Sequence, residues 1–386
     1  MIVYDKVELE NLALVEEAHS LKEAGFVDSN QYDAIKKELV IPKSYNNLLI
    51  RAAFFLLGVF LYSSICGFLT LISAEALDEN FKIIVFLSAI IGFVGAEVLT
   101  RQKFYGHGLD DAFILGSQLT LAIAIGLFTD GNEIVIASFI TLTALMSYLR
   151  YLHLSMALLF CFALTATLTY AMFELGNTGK TVLPFIMMLF AVALYFLTKT
   201  TVPKLANPFY HKGISLANSF SLILFYLSGN YLVVRELSVV LLGAAIAPNS
   251  DIPFALFFYG FTFVVPVFYL VYSLLKKERI MLWIGFLTFG FSIYTIRFYY
   301  AVLPIEIVLT TGGLLLFAFT YFAIKKLKNK ETGVTFKPNR FTKTNAFLNA
   351  EILISSQLGL KPETTTESNM EFGGGGFSGG GSGDSF

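Results

Sequence analysis

Residues 52–324 form an almost unbroken series of apolar runs, cut by short polar punctuation into pieces of similar length. Crossing a hydrocarbon core takes roughly 20 apolar residues, and this region supplies such runs repeatedly. Inside lipid the backbone has no water to bond, so serial runs of this length dictate helices that satisfy their own peptide groups. The expected fold class is all-α, a polytopic helical membrane protein with about ten transmembrane helices. They are placed at 52–74, 83–100, 112–129, 133–149, 152–173, 182–198, 214–234, 252–275, 280–299 and 302–324. Only 14% of residues are charged, against about a quarter in ordinary soluble domains, and the apolar excess is lipid-facing surface. The lipid bilayer is thus the first expected partner.

Formal net charge is −1, which gives no reason to expect nucleic acid as a partner, so the distribution of charge carries the information. One alternate set of connections holds Arg101 and Lys103, then Arg150, then Lys199, Lys204 and Lys212, then Lys276, Lys277 and Arg279. The other set holds mostly single cations, such as Lys82 and Lys180, among acids such as Glu75, Asp78, Asp130 and Glu174. The positive-inside rule places the first set, and with it both termini, in the cytoplasm. Residues 237–247 are apolar but too short to cross, and Pro248 to Asp251 break them, so they are expected as an external re-entrant or interfacial helix. No cleavable signal peptide is expected, because the first apolar run begins only at Ala52.

Three domains follow. Residues 1–50 read as a cytoplasmic helical hairpin: Leu9, Leu12, Val15, Ala18 and Leu21 recur at helical spacing, and Gly25 ends the first helix. Asp28 or Ser29 with Gln31 opens a second helix as a capping box, and Pro42 stops it. Residues 51–325 are the transmembrane helical domain. Residues 326–386 are a cytoplasmic tail, with a short amphipathic helix at 345–358 and a disordered Gly/Phe/Ser-rich end. The hairpin reads as a cap packed on the membrane domain or as a docking module for another protein.

Ionisable residues at membrane depth are the default functional candidates. Glu97 lies one turn before Arg101, which fits a structural ion pair at the boundary or a cation or proton site. His107, Asp110 and Asp111 gather close by, too few for a recognisable metal set. The two aspartates are read more simply as the cap of the third span. His153 is expected to be wetted at an interface. Asn218 and Asn230 make the seventh span polar, as interhelical glue or as a polar pathway. Arg297 and Glu306 flank a tight turn and are read as a structural pair, and Pro184 and Pro266 are expected to kink their spans. No cofactor is implied, and no catalytic residue stands out. Cys66 and Cys161 both sit inside apolar runs and give no disulfide framework.

The segment Leu14-Val-Glu-Glu-Ala-His-Ser-Leu-Lys-Glu-Ala-Gly-Phe-Val-Asp28 with Gln31-Tyr32, leading into many spans, resembles bacterial predicted membrane proteins grouped as domains of unknown function. The entry Gly108-Leu-Asp-Asp-Ala-Phe113 is similar to theirs as well. The resemblance implies the inner membrane of a bacterium and carries no activity with it. The expected role is a non-catalytic scaffold, sensor or assembly factor, contacting another membrane or cytoplasmic protein through the hairpin and tail. The alternative is a transporter or channel for a small or lipophilic solute. An enzyme is disfavoured for want of a nucleophile–base pair or metal-ligand set.

Overall fold

The computed structural model describes residues 2–299 except 24, 45–46, 74–76, 202–203, 205–207, 243–250 and 277, together with scattered positions from 310 to 325. Among these the secondary structure is helical, apart from one isolated bridge between Lys43 and Phe104.

The hairpin forms as its sequence dictates. Helix α1 (Lys6–Glu23) turns at Gly25, whose φ of +77° suits a residue without a side chain. Helix α2 (Ser29–Glu38) opens with Asp28 accepting from the Gln31 amide at 2.7 Å, while the Gln31 side chain accepts from the Asp28 amide at 3.0 Å. That reciprocal box satisfies two otherwise orphaned donors. Val15 and Ala18 then pack on Tyr32 and Ile35, closing a small core between the two helices.

Eight longer helices are apolar enough, over enough length, to cross a membrane. They include α3 (Leu48–Ile72), α4 (Leu77–Arg101), α5 (Leu109–Phe128), α6 (Glu133–Tyr151), α7 (Leu154–Glu174) and α8 (Gly176–Phe196). A single π-helical turn, Leu197–Thr201, extends α8, and a short 3-10 turn, Pro208–Tyr210, leads into α9 (His211–Gly229). The chain continues through α10 (Tyr231–Leu242), α11 (Ala255–Lys276) and α12 (Arg279–Tyr299). Helix α5 sits among α3, α4 and α6, while α9 packs on α7, α8, α11 and α12. Large apolar side chains face outward on most of these helices, among them Phe60 at 72% and Leu256 at 86% exposure.

Several expectations need correction. The first long helix begins at Leu48, not Ala52, because the Asn47 side chain accepts from the Leu49 amide and draws the polar residue Arg51 into the first turn. The expected seventh span, 214–234, is two helices: α9 and α10 meet at Asn230 with a bend of 70°. The apolar segment expected from Leu237 is the later part of α10, and 243–247 lie outside the described residues. Pro184 and Pro266 do lie inside long helices, α8 and α11, as expected. Almost all of the expected span 302–324, and the whole tail with its 345–358 helix, also lie outside the described residues.

The cationic connections share one end of the bundle. The Val3 amide donates to the Arg150 carbonyl, and the Lys43 amide to the Lys103 carbonyl. Glu8 pairs with Lys103, Glu16 with Lys212 at 2.9 Å, and Lys199 with Glu278 at 2.8 Å. The hairpin is therefore seated on that end.

Candidate functional site

The most concentrated ionisable cluster lies directly beneath the hairpin. Adjacent residues on a helix project about 100° apart, so the first turn of α5 aims its two carboxylates in different directions. Asp110 reaches back over the preceding loop. Its Oδ2 accepts from the Gly106 amide at 2.7 Å, and its Oδ1 from the amides of His107 and Gly108, each at 3.0 Å. Asp111 points sideways: its Oδ2 accepts from Nε and Nη2 of Arg51 at 2.8 and 2.6 Å, and its Oδ1 lies 2.6 Å from His153 Nδ1. His153 Nε2 is 3.3 Å from Asp110 Oδ2, within ion-pair range but without hydrogen-bond alignment.

His153 is delivered by a two-residue turn between α6 and α7. Leu152 takes the left-handed conformation, φ +59°, and packs against Tyr4 and Leu9. The packing holds a backbone state that costs an ordinary residue roughly 1–2 kcal/mol. The next side chain is thereby turned into the protein, with 3% of its surface exposed, while the Asp110 side chain is fully buried. Burial opposes charge on the imidazole, yet the two carboxylates outweigh it and its pKa is pushed up to about 9. Two carboxylates and two cations, Arg51 and the His153 imidazolium, then balance.

Tyr105 and Tyr4 roof the cluster. The Tyr105 ring lies edge-on to His153 at 5.8 Å, and the Tyr4 ring edge-on to Tyr105 at 5.0 Å. The Tyr4 hydroxyl donates to the Phe104 carbonyl at 3.1 Å. Burial, with Asp110 and Asp111 nearby, pushes the Tyr4 phenol pKa up, so it stays neutral. Gly108 has φ +107°, and a Cβ there would stand 2.3 Å from the Arg51 carbonyl oxygen, so the loop closes on α3 only because this residue lacks one.

The structure corrects the expected roles of these residues. Asp110 and Asp111 do not cap the third long helix; Gly108 occupies that position, and Asp110 instead binds the loop amides before it. His153, expected at a wetted interface, is buried. His107 is buried between the rings of Phe54 and Phe104, at 4.4 and 4.7 Å, and its pKa is lowered first by burial, with Lys43 adding to the effect and Asp110 opposing it. A signal for His153 was present: two adjacent carboxylates at the start of an apolar helix require buried counter-charges, and a two-residue turn offers a side chain little choice of direction.

The other candidates fall elsewhere. Glu97 pairs with Arg101 at 3.3 Å as its spacing predicts, but its main partner is Arg150, whose Nε and Nη2 donate at 2.9 and 2.5 Å. Tyr151 adds a longer contact of 3.5 Å. Asn218 donates to Thr198 at 3.2 Å. Asn230 is fully buried, donates to Tyr226 and Thr295, and accepts from the Val233 amide, which makes it the N-cap of α10. Arg297 Nη1 is buried without a hydrogen-bond partner among the described residues, and Glu306, its expected partner, lies outside them. No His, Cys, Asp and Glu grouping among the described residues is arranged to hold a metal ion.

No family model matches the chain, and no curated protein and no solved structure matches it.

Proposed function

We propose that this chain is a multi-pass protein of the bacterial cytoplasmic membrane, with both ends in the cytoplasm and a non-catalytic scaffold, sensor or assembly role exercised through its hairpin. The observation that carries this reading is the seating of the hairpin. One face is fixed to three connections of the bundle through Val3, Glu8 and Glu16, and the other is left open. Phe26 at the turn is 81% exposed and Val40 after α2 is 61% exposed, and Glu10, Glu23 and Lys36 of the hairpin are exposed as well. A helical platform held in place and bearing exposed apolar side chains among charges is suited to receiving a protein partner. The gathering of cationic connections at the hairpin's end supports a cytoplasmic address under the positive-inside rule. Transport draws less support, because Glu97, Asn218 and Asn230 are already engaged with neighbouring helices.

A photo-crosslinking residue at Phe26 or Val40, in the full chain within native membranes, tests the reading. A discrete adduct that Glu8→Lys and Glu16→Lys together weaken, by unseating the hairpin, is expected. Adducts absent from both positions, or unchanged by unseating, would remove the hairpin from the function.

A further inference from the structure

We propose that the Arg51–Asp111–His153–Asp110 cluster is a proton-operated latch, in which a charged His153 holds the N-terminal segment and hairpin on the bundle and loss of that proton lets them lift. The latch itself rests on the seated geometry, and its use as a sensor rests on the function proposed above.

With the imidazolium present, the carboxylates of Asp110 and Asp111 face two cations, buried His153 and half-exposed Arg51, and the cluster is neutral. Removing the proton leaves a neutral ring between the two carboxylates with Arg51 alone in compensation, a net anion whose Asp110 end is fully buried and must regain water. Asp110 and Asp111 from α5 and Tyr105 from the loop face His153; Arg51 from α3 lies behind Asp111, and Tyr4 from the N-terminal segment lies behind Tyr105. Tyr4 and Tyr105 are neutral phenols and cannot replace the lost charge. They also form the roof, and Tyr4 belongs to the segment tied to the turn that carries His153: the Val3 amide donates to Arg150, and Leu152 packs under Tyr4 and Leu9. His153 and Asp110 are the closed end of the cluster, roofed by Tyr105 and Tyr4, so water reaches them where the N-terminal segment parts from the loop, which couples proton release to undocking.

The sign follows from linkage. Burial beneath the segment disfavours the net anion left when His153 loses its proton, so its pKa is higher docked, at about 9, than undocked; docking is strengthened below the undocked value, and that contribution is lost as pH rises through 9.

The test is pulsed hydrogen–deuterium exchange of residues 2–23 in the full chain in lipid nanodiscs, corrected for the pH dependence of intrinsic exchange. Protection is expected to fall as pH rises and to level off near pH 9, where docked His153 loses its proton. Arg51→Gln leaves the cluster more negative and is expected to move the levelling point up, whereas Asp111→Asn is expected to move it down. The paired variants serve because either alone risks misfolding, and only a levelling point set by His153 moves in opposite directions with them. Protection independent of pH in the unmodified chain, or a levelling point that neither variant moves, would overturn the latch. Neither result depends on whether the hairpin captures a partner.

Discussion

At the scale of single residues, what the sequence made legible depended on how far apart partners lie along the chain. Glu97 and Arg101 are one helical turn apart, so their pairing followed from period alone. Arg150, which engages Glu97 with both ends of its guanidinium, is 53 residues away, and His153 is 42 residues from Asp111. No periodicity connects such positions; only the packing of α4, α5 and α6 does. The same limit hid the need for glycine at position 108. Gly108 and Gly131 both have positive φ, yet a Cβ on Gly131 would meet nothing within 4 Å, whereas one on Gly108 would drive into the Arg51 carbonyl. Gly131→Ala should therefore cost only the strain of a left-handed residue, about 1–2 kcal/mol. Gly108→Ala carries that strain and also separates the loop from α3, so it should lower the unfolding temperature clearly more. Thermal unfolding of both variants in the same detergent, followed by circular dichroism, makes the comparison; equal losses would mean that α3 and the loop are not held together as described.

At the scale of elements, the hairpin was the most legible part, because its signals are local: Asp28 and Gln31 are three residues apart and form the box that their types predict. The break at Asn230 was not. Apolar residues continue through Tyr231-Leu-Val-Val234, so a hydropathy window runs past the bend, and only the Ser228-Gly229-Asn230 trio marks it. The bend holds because Asn230 serves both helices at once. Its amide donates to Leu227 at the end of α9, its side chain accepts from Val233 at the start of α10, and its side-chain nitrogen ties both to Tyr226 and Thr295. Truncation to alanine removes the cap and the cross-links to Tyr226 and Thr295, whose hydroxyls keep only Ser292 and the Phe291 carbonyl. Asn230→Ala should cost about 1–3 kcal/mol, while Val240→Ala, on the exposed side of α10, should stay within about 0.5 kcal/mol. Denaturant titrations of the two variants check this, and near-equal midpoints would show that the polar network contributes little to the bend.

At the scale of the whole molecule, the question is which ends of which helices share a side, and one ion pair decides much of it. If α10 crossed the membrane, the later helices would be inverted and Lys276 would stand at the end opposite the hairpin. Lys199 follows α8, and Glu278 lies between α11 and α12; their contact at 2.8 Å holds those connections at one end. Glu16 and Lys212 hold the start of α9 and the hairpin together, and the packing of α9 between α8 and α11 joins the two pairs into one arrangement. Lys82 and Asp130, 3.4 Å apart, mark the other end. Ser29→Cys and Lys276→Cys, in a background without Cys66 and Cys161, should thus be labelled by a membrane-impermeant maleimide from the same face of sealed vesicles, and Gly131→Cys from the opposite face. Labelling of Lys276→Cys from the face of Gly131→Cys would mean that α10 crosses and that the Lys199–Glu278 contact does not form. On the function proposed above, the shared face of Ser29 and Lys276 is the cytoplasmic one, because the positive-inside rule keeps cationic connections from translocation. Vesicles of known orientation therefore test the helix arrangement and the address in a single measurement, and the two can fail separately: same-face labelling from the outer side would keep the fold and reject the orientation.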